Sequence, residues 1–289
     1  MARATKEQSP EFIIRHEKLD LHIYLSSLSK LLLHEKTIPD RVDQLKREFL
    51  DDQMVKDPIV VDADSCVVLD GMHRVAALRE LNCVCIPVCA VDYLSPSIKV
   101  GAWYRAFSGA SSPDQVRVAL SAVGIRVTGC PFDFANIMKN PALAVLFADG
   151  ECLKLQNSDL RVFETVEIAE QCIRQIGLAV KFETEHDALE NLANKRTNII
   201  MSLPKIDKTL VREAGLTGRV LPHKVTRHII PARPLAVDVP LKTLTDGVAT
   251  LQESNRRFVM SLESRRITRS MSGAIIGGRR YEEETFIFS

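Results

Sequence analysis

The chain has 289 residues, 46% of them hydrophobic, with 38 lysines and arginines against 37 aspartates and glutamates, a formal net charge of +1. That length and apolar content suit two packed domains better than one. The balance of charge removes any whole-molecule field that would favour nucleic acid, and the longest apolar run, residues 142–148, falls far short of the roughly 18 needed to cross a bilayer.

Residues 1–18 read as a polar leader. The opening stretch MARATKEQSPEF has no apolar core of the kind a signal peptide needs, so a cytoplasmic location is expected. Leu19, Leu21, Ile23 and Leu25 alternate with Asp20, His22 and Tyr24, the period of a half-buried strand. Ser26 or Ser27 is placed to cap a short helix over LSKLLLHE. Val42, Leu45 and Phe49 then repeat at helical spacing, with Pro39 near the first turn and Asp40 close to the positive end of the helix dipole. Residues 59–62 form a β-branched run, 63–65 supply a turn, and 66–69 read as a second strand running into Asp70 and Gly71. Val75, Leu78 and Leu81 give a buried stripe to a helix over 73–81, and 83–91 reads as a buried strand. These elements define a first domain over 19–96.

A second α/β domain is expected over 97–245. It begins with a linker and a helix over 113–123, followed by strands at 144–148 and 152–155 around Asp149-Gly150, a hairpin signal. Helical periods cover 166–176 and 186–193, a strand covers 197–201, and a helix over 207–214 is closed by Gly215. Residues 246–289 form a basic extension, whose stretch 256–280 holds seven arginines and a single glutamate; a solvated tail, an anion-binding flap and a DNA-binding arm all fit it. No helix-turn-helix signature follows the first domain.

The seven cysteines, Cys66, Cys83, Cys85, Cys89, Cys130, Cys152 and Cys172, are odd in number and set among apolar neighbours. Reduced thiols packed as small hydrophobes are expected rather than a disulfide framework. Cys83, Cys85 and Cys89 lack the spacing of zinc knuckles, and strand alternation puts them on one face, which suits core packing.

The densest chemistry is at Asp70-Gly71-Met72-His73-Arg74, where a strand ends and a helix begins. A helix N-terminus attracts anions through its unpaired N–H groups and dipole, and a glycine there removes the side chain that would hold a phosphate away. This segment resembles the ParB/sulfiredoxin superfamily, whose members place Asp-Gly-x-His-Arg or a related sequence at such a turn. The resemblance implies an α/β (α+β) chain with a ParB/sulfiredoxin-like N-terminal domain, and it leaves three branches: DNA-segregation proteins that bind CTP, sulfiredoxins, and kinases of free L-serine. Sulfiredoxins carry a reactive cysteine at this turn, and Met72 offers no thiolate.

Free L-serine kinases of the superfamily carry a His-Glu pair after the first strand, the Asp-Gly-x-His-Arg turn, a tryptophan shortly past the first domain and a late Lys-x-Thr-Arg-His cluster. His34-Glu35, Asp70 to Arg74, Trp103 and Lys224-Val225-Thr226-Arg227-His228 match all four in order. The resemblance is to the archaeal ADP-dependent type most of all and spans residues 19–240. It implies phosphoryl transfer from ADP or ATP to the hydroxyl of free L-serine, with Mg²⁺, giving O-phospho-L-serine. Glu35 would be the general base, and Asp70 would stand on the metal side or help to activate the hydroxyl. Gly71, His73 and Arg74 would meet the nucleotide phosphates; Trp103, Lys224, Thr226, Arg227 and His228 would hold the amino acid.

By spacing alone Glu35 is a helix-end glutamate in solvent, Asp70 a helix cap and Arg74 a surface residue. Met72 stands where the kinases commonly have histidine, and Val225 where a small hydroxyl residue is expected. Two other readings stay open: a kinase for another small hydroxylated substrate, and a ParB-like nucleotide-dependent DNA-binding or regulatory protein. No residue pattern chooses between ADP and ATP or reports the oligomeric state, and neither a nucleic-acid partner nor a membrane is expected.

Overall fold

A computed structural model describes residues 10–109, 111–131, 141–158, 161–245 and 250–289. The chain divides into two compact units, one of Met1–Lys99, Arg212–Arg219 and His228–Ser289, the other of Val100–Val211 and Val220–Arg227.

The first unit is built on a five-stranded sheet in the order β1-β2-β6-β4-β5, formed by β1 (Phe12–Ile14), β2 (Leu21–Ser27), β4 (Ile59–Asp62), β5 (Val68–Asp70) and β6 (Cys85–Val91). Helices α1 (Pro39–Asp52) and α2 (Met72–Glu80) lie between these strands in sequence, with the short β3 (Met54–Val55) after α1. Strand β6 is central and runs antiparallel to β2 and parallel to β4. All seven of its residues are buried, which explains its continuous apolar sequence. Burial pushes the thiols of Cys83 and Cys85 up to about 11 and that of Cys89 up to about 12. They pack as neutral groups.

The expected helix over LSKLLLHE does not form. After a 3-10 turn at Leu28–Lys30 the chain extends, and Leu32 bridges to Val67 in parallel. Leu32 N–H donates to Cys66 O at 3.1 Å and Val68 N–H to Leu32 O at 2.8 Å. Long-range backbone pairing overrides the local helical spacing because it satisfies donors on the open side of β5 and buries Leu31.

In the second unit β7 (Lys99–Ser108), α3 (Pro113–Ala122), β8 (Arg126–Gly129), β9 (Ala144–Phe147), β10 (Cys152–Gln156), α4 (Val162–Gln175), β11 (Ala179–Thr184), α5 (Glu185–Ala193) and β12 (Ile199–Ser202) follow in turn. The sheet order is β11-β7-β12-β9-β10-β8, with β13 (Thr226–Ile229) against β7 off this path. The Asp149-Gly150 hairpin forms as expected between β9 and β10. Helix α3 starts on a full capping box, Ser112 with Gln115.

One expectation about the cysteines is corrected here. Cys130 and Cys152 are joined in a disulfide. Antiparallel pairing of β8 with β10 puts Gly129 opposite Leu153, Cys130 N–H donates to Cys152 O at 3.0 Å, and the two Cα atoms stand 5.2 Å apart, within bridging reach. Cysteine number and spacing give no warning of this register.

The structure also divides the chain differently from the expected boundaries. Helix α6 (Lys208–Thr217) runs through Gly215 rather than stopping there. A Cβ at Gly215 would lie 2.7 Å from Val67 Cγ2, so the glycine serves close approach to the first unit's sheet, not helix termination. Residues beyond His228 fold back into the first unit as β14 (Ala232–Leu235), β15 (Val239–Pro240), α7 (Leu241–Thr245), α8 (Leu251–Glu263), β16 (Ile267–Ser270), the β17–β18 ribbon (Ile275–Ile276 with Arg279–Arg280) and β19 (Glu284–Phe288). Strand β19 pairs with β14 in parallel and with β16 antiparallel. Several arginines of the basic stretch are occupied in this fold. Arg257 pairs with Glu253, Arg269 with Glu284, and Arg265 donates to Val237 O, Asp238 and Phe288 O. Among the described residues no helix is long and apolar enough to cross a membrane.

Helix α8 is tied to the main sheet by one buried amide. Strand β1 reaches only as far as the Phe12–Ile23 pair, and past its end Leu25 N–H donates to Asn255 Oδ1 at 2.7 Å while Asn255 Nδ2 donates to Pro10 O at 2.7 Å. Asn255→Leu orphans both backbone groups and is expected to destabilise the protein by roughly 1–3 kcal/mol; urea unfolding against wild type checks this.

Candidate active site

In the first unit the site is built on the end of β5. Gly71 is the N-cap of α2 at φ 102°, a conformation that favours glycine. A Cβ there would collide with the Ile59 side chain and lie 3.0 Å from Arg74 Nη2. No side chain caps the helix, so the first-turn N–H groups have no side-chain acceptor there, as an anion cradle requires.

Arg74 and His73 each have a partner inside the fold. Arg74 Nη1 donates to the carbonyls of Asp57 and Pro58 at 2.7 and 2.9 Å, and Nη2 approaches Asp70 Oδ2 at 3.4 Å. His73 Nε2 accepts from Ile38 N–H at 3.0 Å, which anchors the N-cap of α1 and leaves the neutral ring's proton on Nδ1. Arg79, on the same helix, donates to Leu28 O and Leu31 O at 3.0 and 2.8 Å and props the 3-10 turn.

The extended segment after that turn carries His34 and Glu35. Both are buried, at 0% and 5% exposure, so Glu35 is not the solvent-facing helix end that spacing alone suggests. The parallel bridge of Leu32 with Val67 holds the start of this segment beside the strand that leads into Asp70. His34 Nδ1 lies 2.6 Å from Val68 O. A carbonyl only accepts, so Nδ1 carries the proton. Burial lowers the imidazole's pKa from 6.5, against the opposing pull of the Glu35 carboxylate and the Val68 carbonyl. The His34 ring meets His228 edge to face at 5.3 Å, and His228 Nε2 is 2.8 Å from Tyr93 Oη.

Asp70 accepts from arginines rather than capping the helix. Arg233 Nη1 and Arg74 Nη2 both approach its Oδ2. Burial opposes its ionisation, yet Arg233 and then Arg74 outweigh it and hold the carboxyl well below the usual carboxylate range. Asp70 is thus an anion at any working pH. Sequence reasoning did not select Arg233 or Tyr93; the one signal for Arg233 was a lone charge inside the apolar run PARPLAV.

In the second unit the late basic cluster is organised by a residue that the sequence reading also passed over. Arg105, on β7 with 0% exposure, donates through Nε to Glu170 Oε2 at 3.0 Å, through Nη1 to Trp103 O and Lys224 O at 2.9 Å each, and through Nη2 to His223 O at 3.1 Å. One buried fork therefore fixes the loop before β13 against the Trp103 strand. Lys224 takes a left-handed φ of 56°. Its Nζ lies 5.0 Å from the Trp103 ring centroid, and the Arg227 guanidinium lies 5.6 Å from it, both within cation–π range. Thr226 and Val225 are buried. The boundary between the two units falls after Arg227, so His228 belongs with the first set and Lys224, Thr226 and Arg227 with the second.

The strand, left-handed glycine and uncapped helix start fit the turn of a ParB-like α/β fold. No protein-family model matches the chain. It is 26% identical over 234 residues to an ATP-dependent L-serine kinase of Staphylothermus marinus, covering 76% of this chain and 90% of that one. It is also 26% identical over 247 residues to an ADP-dependent L-serine kinase of Thermococcus kodakarensis, covering 82% and 98%. A solved free serine kinase in complex with AMP superposes with a TM-score of 0.66 at 22% identity, over 76% of this chain and 93% of that one. Over most of its length the chain is thus similar in sequence to these L-serine kinases and in fold to the solved free serine kinase.

Two outcomes follow from the buried groups. Because the folded pKa of His34 is depressed, the fold favours its neutral form; that stability is fully present above pH 6.5 and is lost as pH falls toward the folded value. His34→Gln is expected to flatten the fall of unfolding free energy below pH 6.5 relative to wild type, read from urea titrations at stepped pH. Arg105→Leu strips the buried Glu170 of its 3.0 Å partner and leaves only the longer contacts of Arg174 and His223 at 3.9 and 3.8 Å; it is expected to cost about 3 kcal/mol, with part recovered by Glu170→Gln in the same chain, and thermal and urea unfolding of the single and double variants test this.

Proposed function

We infer that the protein transfers a phosphoryl group from a nucleotide to the hydroxyl of free L-serine, giving O-phospho-L-serine. The observation that carries this reading is the buried His34-Glu35 segment, which follows the Leu32–Val67 bridge and is tied through His34 to Val68, on the strand that leads into the Asp-Gly turn. Phosphoryl transfer to an alcohol needs little covalent help and much positioning. Glu35 takes the serine Oγ proton as the Oγ–P bond forms and the bond from phosphorus to the leaving nucleotide oxygen breaks. Its burial beside a neutral imidazole keeps competing water away from the base.

The backbone N–H groups after Gly71 receive phosphate oxygens, supported by the dipole of α2. His73 and Arg74 hold the walls of this turn through Ile38, Asp57 and Pro58, and their charge and Nδ1–H face the same nucleotide phosphates. Asp70 fits Mg²⁺: it is ionised, 39% exposed, and one carboxylate with phosphate oxygens is the usual protein share of such a site. When bound, that ion neutralises charge that develops between the phosphates. Lys224, Thr226, Arg227 and the Trp103 face take the serine carboxylate and exclude water, with His228 toward the amino acid or product phosphate. Both ADP-dependent and ATP-dependent relatives exist, and we place the protein in the cytoplasm, where serine and both nucleotides are available.

Purified protein incubated with Mg²⁺, L-serine and either ADP or ATP is expected to form O-phosphoserine, followed by mass, with AMP released if ADP is the donor. Glu35→Gln is expected to keep the fold and lower turnover by at least about a hundredfold. Unchanged turnover would remove Glu35 as the base, and no product with either donor would overturn the reading.

A further inference from the structure

Arg233 is 9% exposed on β14 and has a carboxylate at each end of its guanidinium. Nη1 donates to Asp70 Oδ2 and Nε donates to Glu283 Oε1 at 2.6 Å. Arg74 Nη2 reaches the same Asp70 oxygen at 3.4 Å. Both cations thus hold Oδ2, while among the described residues Oδ1 accepts no hydrogen bond. A carboxylate held at one oxygen by two guanidinium groups has little torsional freedom left, so its other oxygen keeps a fixed direction; the side chain as a whole is 39% exposed.

The charges balance: Asp70 and Glu283 against Arg74 and Arg233. Burial opposes the charge on Arg233, and its two carboxylates more than offset this. Glu283 comes from the C-terminal segment immediately before β19. The parallel pairing of β14 with β19 sets Arg233 opposite Thr285, and this register brings the glutamate to the guanidinium. The segment that sequence reading treated as a basic extension therefore supplies one end of a chain of contacts, Glu283 to Arg233 to Asp70, that stops at the Asp-Gly turn.

We propose that Arg233 is a positioning residue for phosphoryl transfer, orienting Asp70 through Oδ2 so that Oδ1 is presented at the turn, and that Glu283 holds Arg233 in that orientation. The proposal rests on the serine-kinase reading above. Arg233→Lys keeps a charge but loses the two-ended fork. It is expected to lower kcat about a hundredfold with the KM for nucleotide unchanged. Glu283→Gln, a milder change at a more exposed position, is expected to lower kcat about tenfold in the same way.

Because Arg233 acts through Asp70, the Arg233→Lys/Asp70→Asn double variant is expected to be no slower than Asp70→Asn alone. Steady-state kinetics of O-phosphoserine formation, with melting temperatures to confirm folding, supply the test. Losses that multiply in the double variant, or a rise in nucleotide KM with kcat unchanged, would overturn the proposal; the second result would make Arg233 a direct phosphate contact. If Arg233→Lys fails to fold, Glu283→Gln carries the test, and its unchanged kcat overturns the proposal. Wild-type protein that forms no product with either donor overturns the kinase reading and this proposal together, whereas active wild-type protein with multiplying losses overturns this proposal alone.

Discussion

The first unit depends on the short stretch of backbone pairing between Leu32 and the strand at Val67 and Val68. Two hydrogen bonds and one histidine fix it: Leu32 N–H to Cys66 O, Val68 N–H to Leu32 O, and His34 Nδ1 to Val68 O. This pairing turns a segment with helical spacing into an arm that buries His34 and Glu35 and ties His34 to the strand that leads into the Gly71 turn. Neighbouring side chains buttress the arm. Arg79 holds the carbonyls before it, and His73 anchors the backbone after it.

Charge in this unit is handled by pairing rather than by exposure. A buried or half-buried ion costs several kcal/mol unless its partners are well placed. Asp70, Arg74, Arg233 and Glu283 satisfy one another within a single balanced group, and the result is a carboxylate that stays ionised beside a helix start with its own affinity for anions. An unopposed Asp70 at that place would repel a phosphate; two arginines and, in the proposed reaction, a divalent cation offset that repulsion. The second unit follows the same rule with Arg105, whose guanidinium is paired with Glu170 and donates to the carbonyls of Trp103, His223 and Lys224, holding a loop rather than a ligand. The cations of Lys224 and Arg227 then lie over Trp103, where the ring face favours positive charge.

The basic C-terminal stretch shows how composition can mislead about role. Its arginines suggest a solvated arm, yet Arg265 and Arg269 are spent on carbonyls and carboxylates of the first unit, and Asn255 completes the edge of β2 where β1 ends. Electrostatic attraction to nucleic acid needs cations free of such partners. What the segment contributes is a buttress: α8 under the sheet and β19 beside β14.

The sequence by itself determined the local elements whose signals are short-range: alternation in β2, the apolar run of β6, the Asp149-Gly150 hairpin, the helix periods of α1, α3, α4 and α5, and the glycine turn at Asp70-Gly71. It also carried the candidate site residues, because the types suited to the proposed phosphate binding and proton transfer are few and their order along the chain is readable. Only the tertiary structure decided the rest. The extended state of residues 31–35, the passage of α6 through Gly215, the Cys130–Cys152 bridge and the return of the C-terminal strands all depend on which backbone faces which across long stretches of chain. Arg105 and Arg233 escaped the sequence reading for that reason: a buried arginine is legible only through its partners, and Glu170, His223, Asp70 and Glu283 become neighbours only when the strands pair.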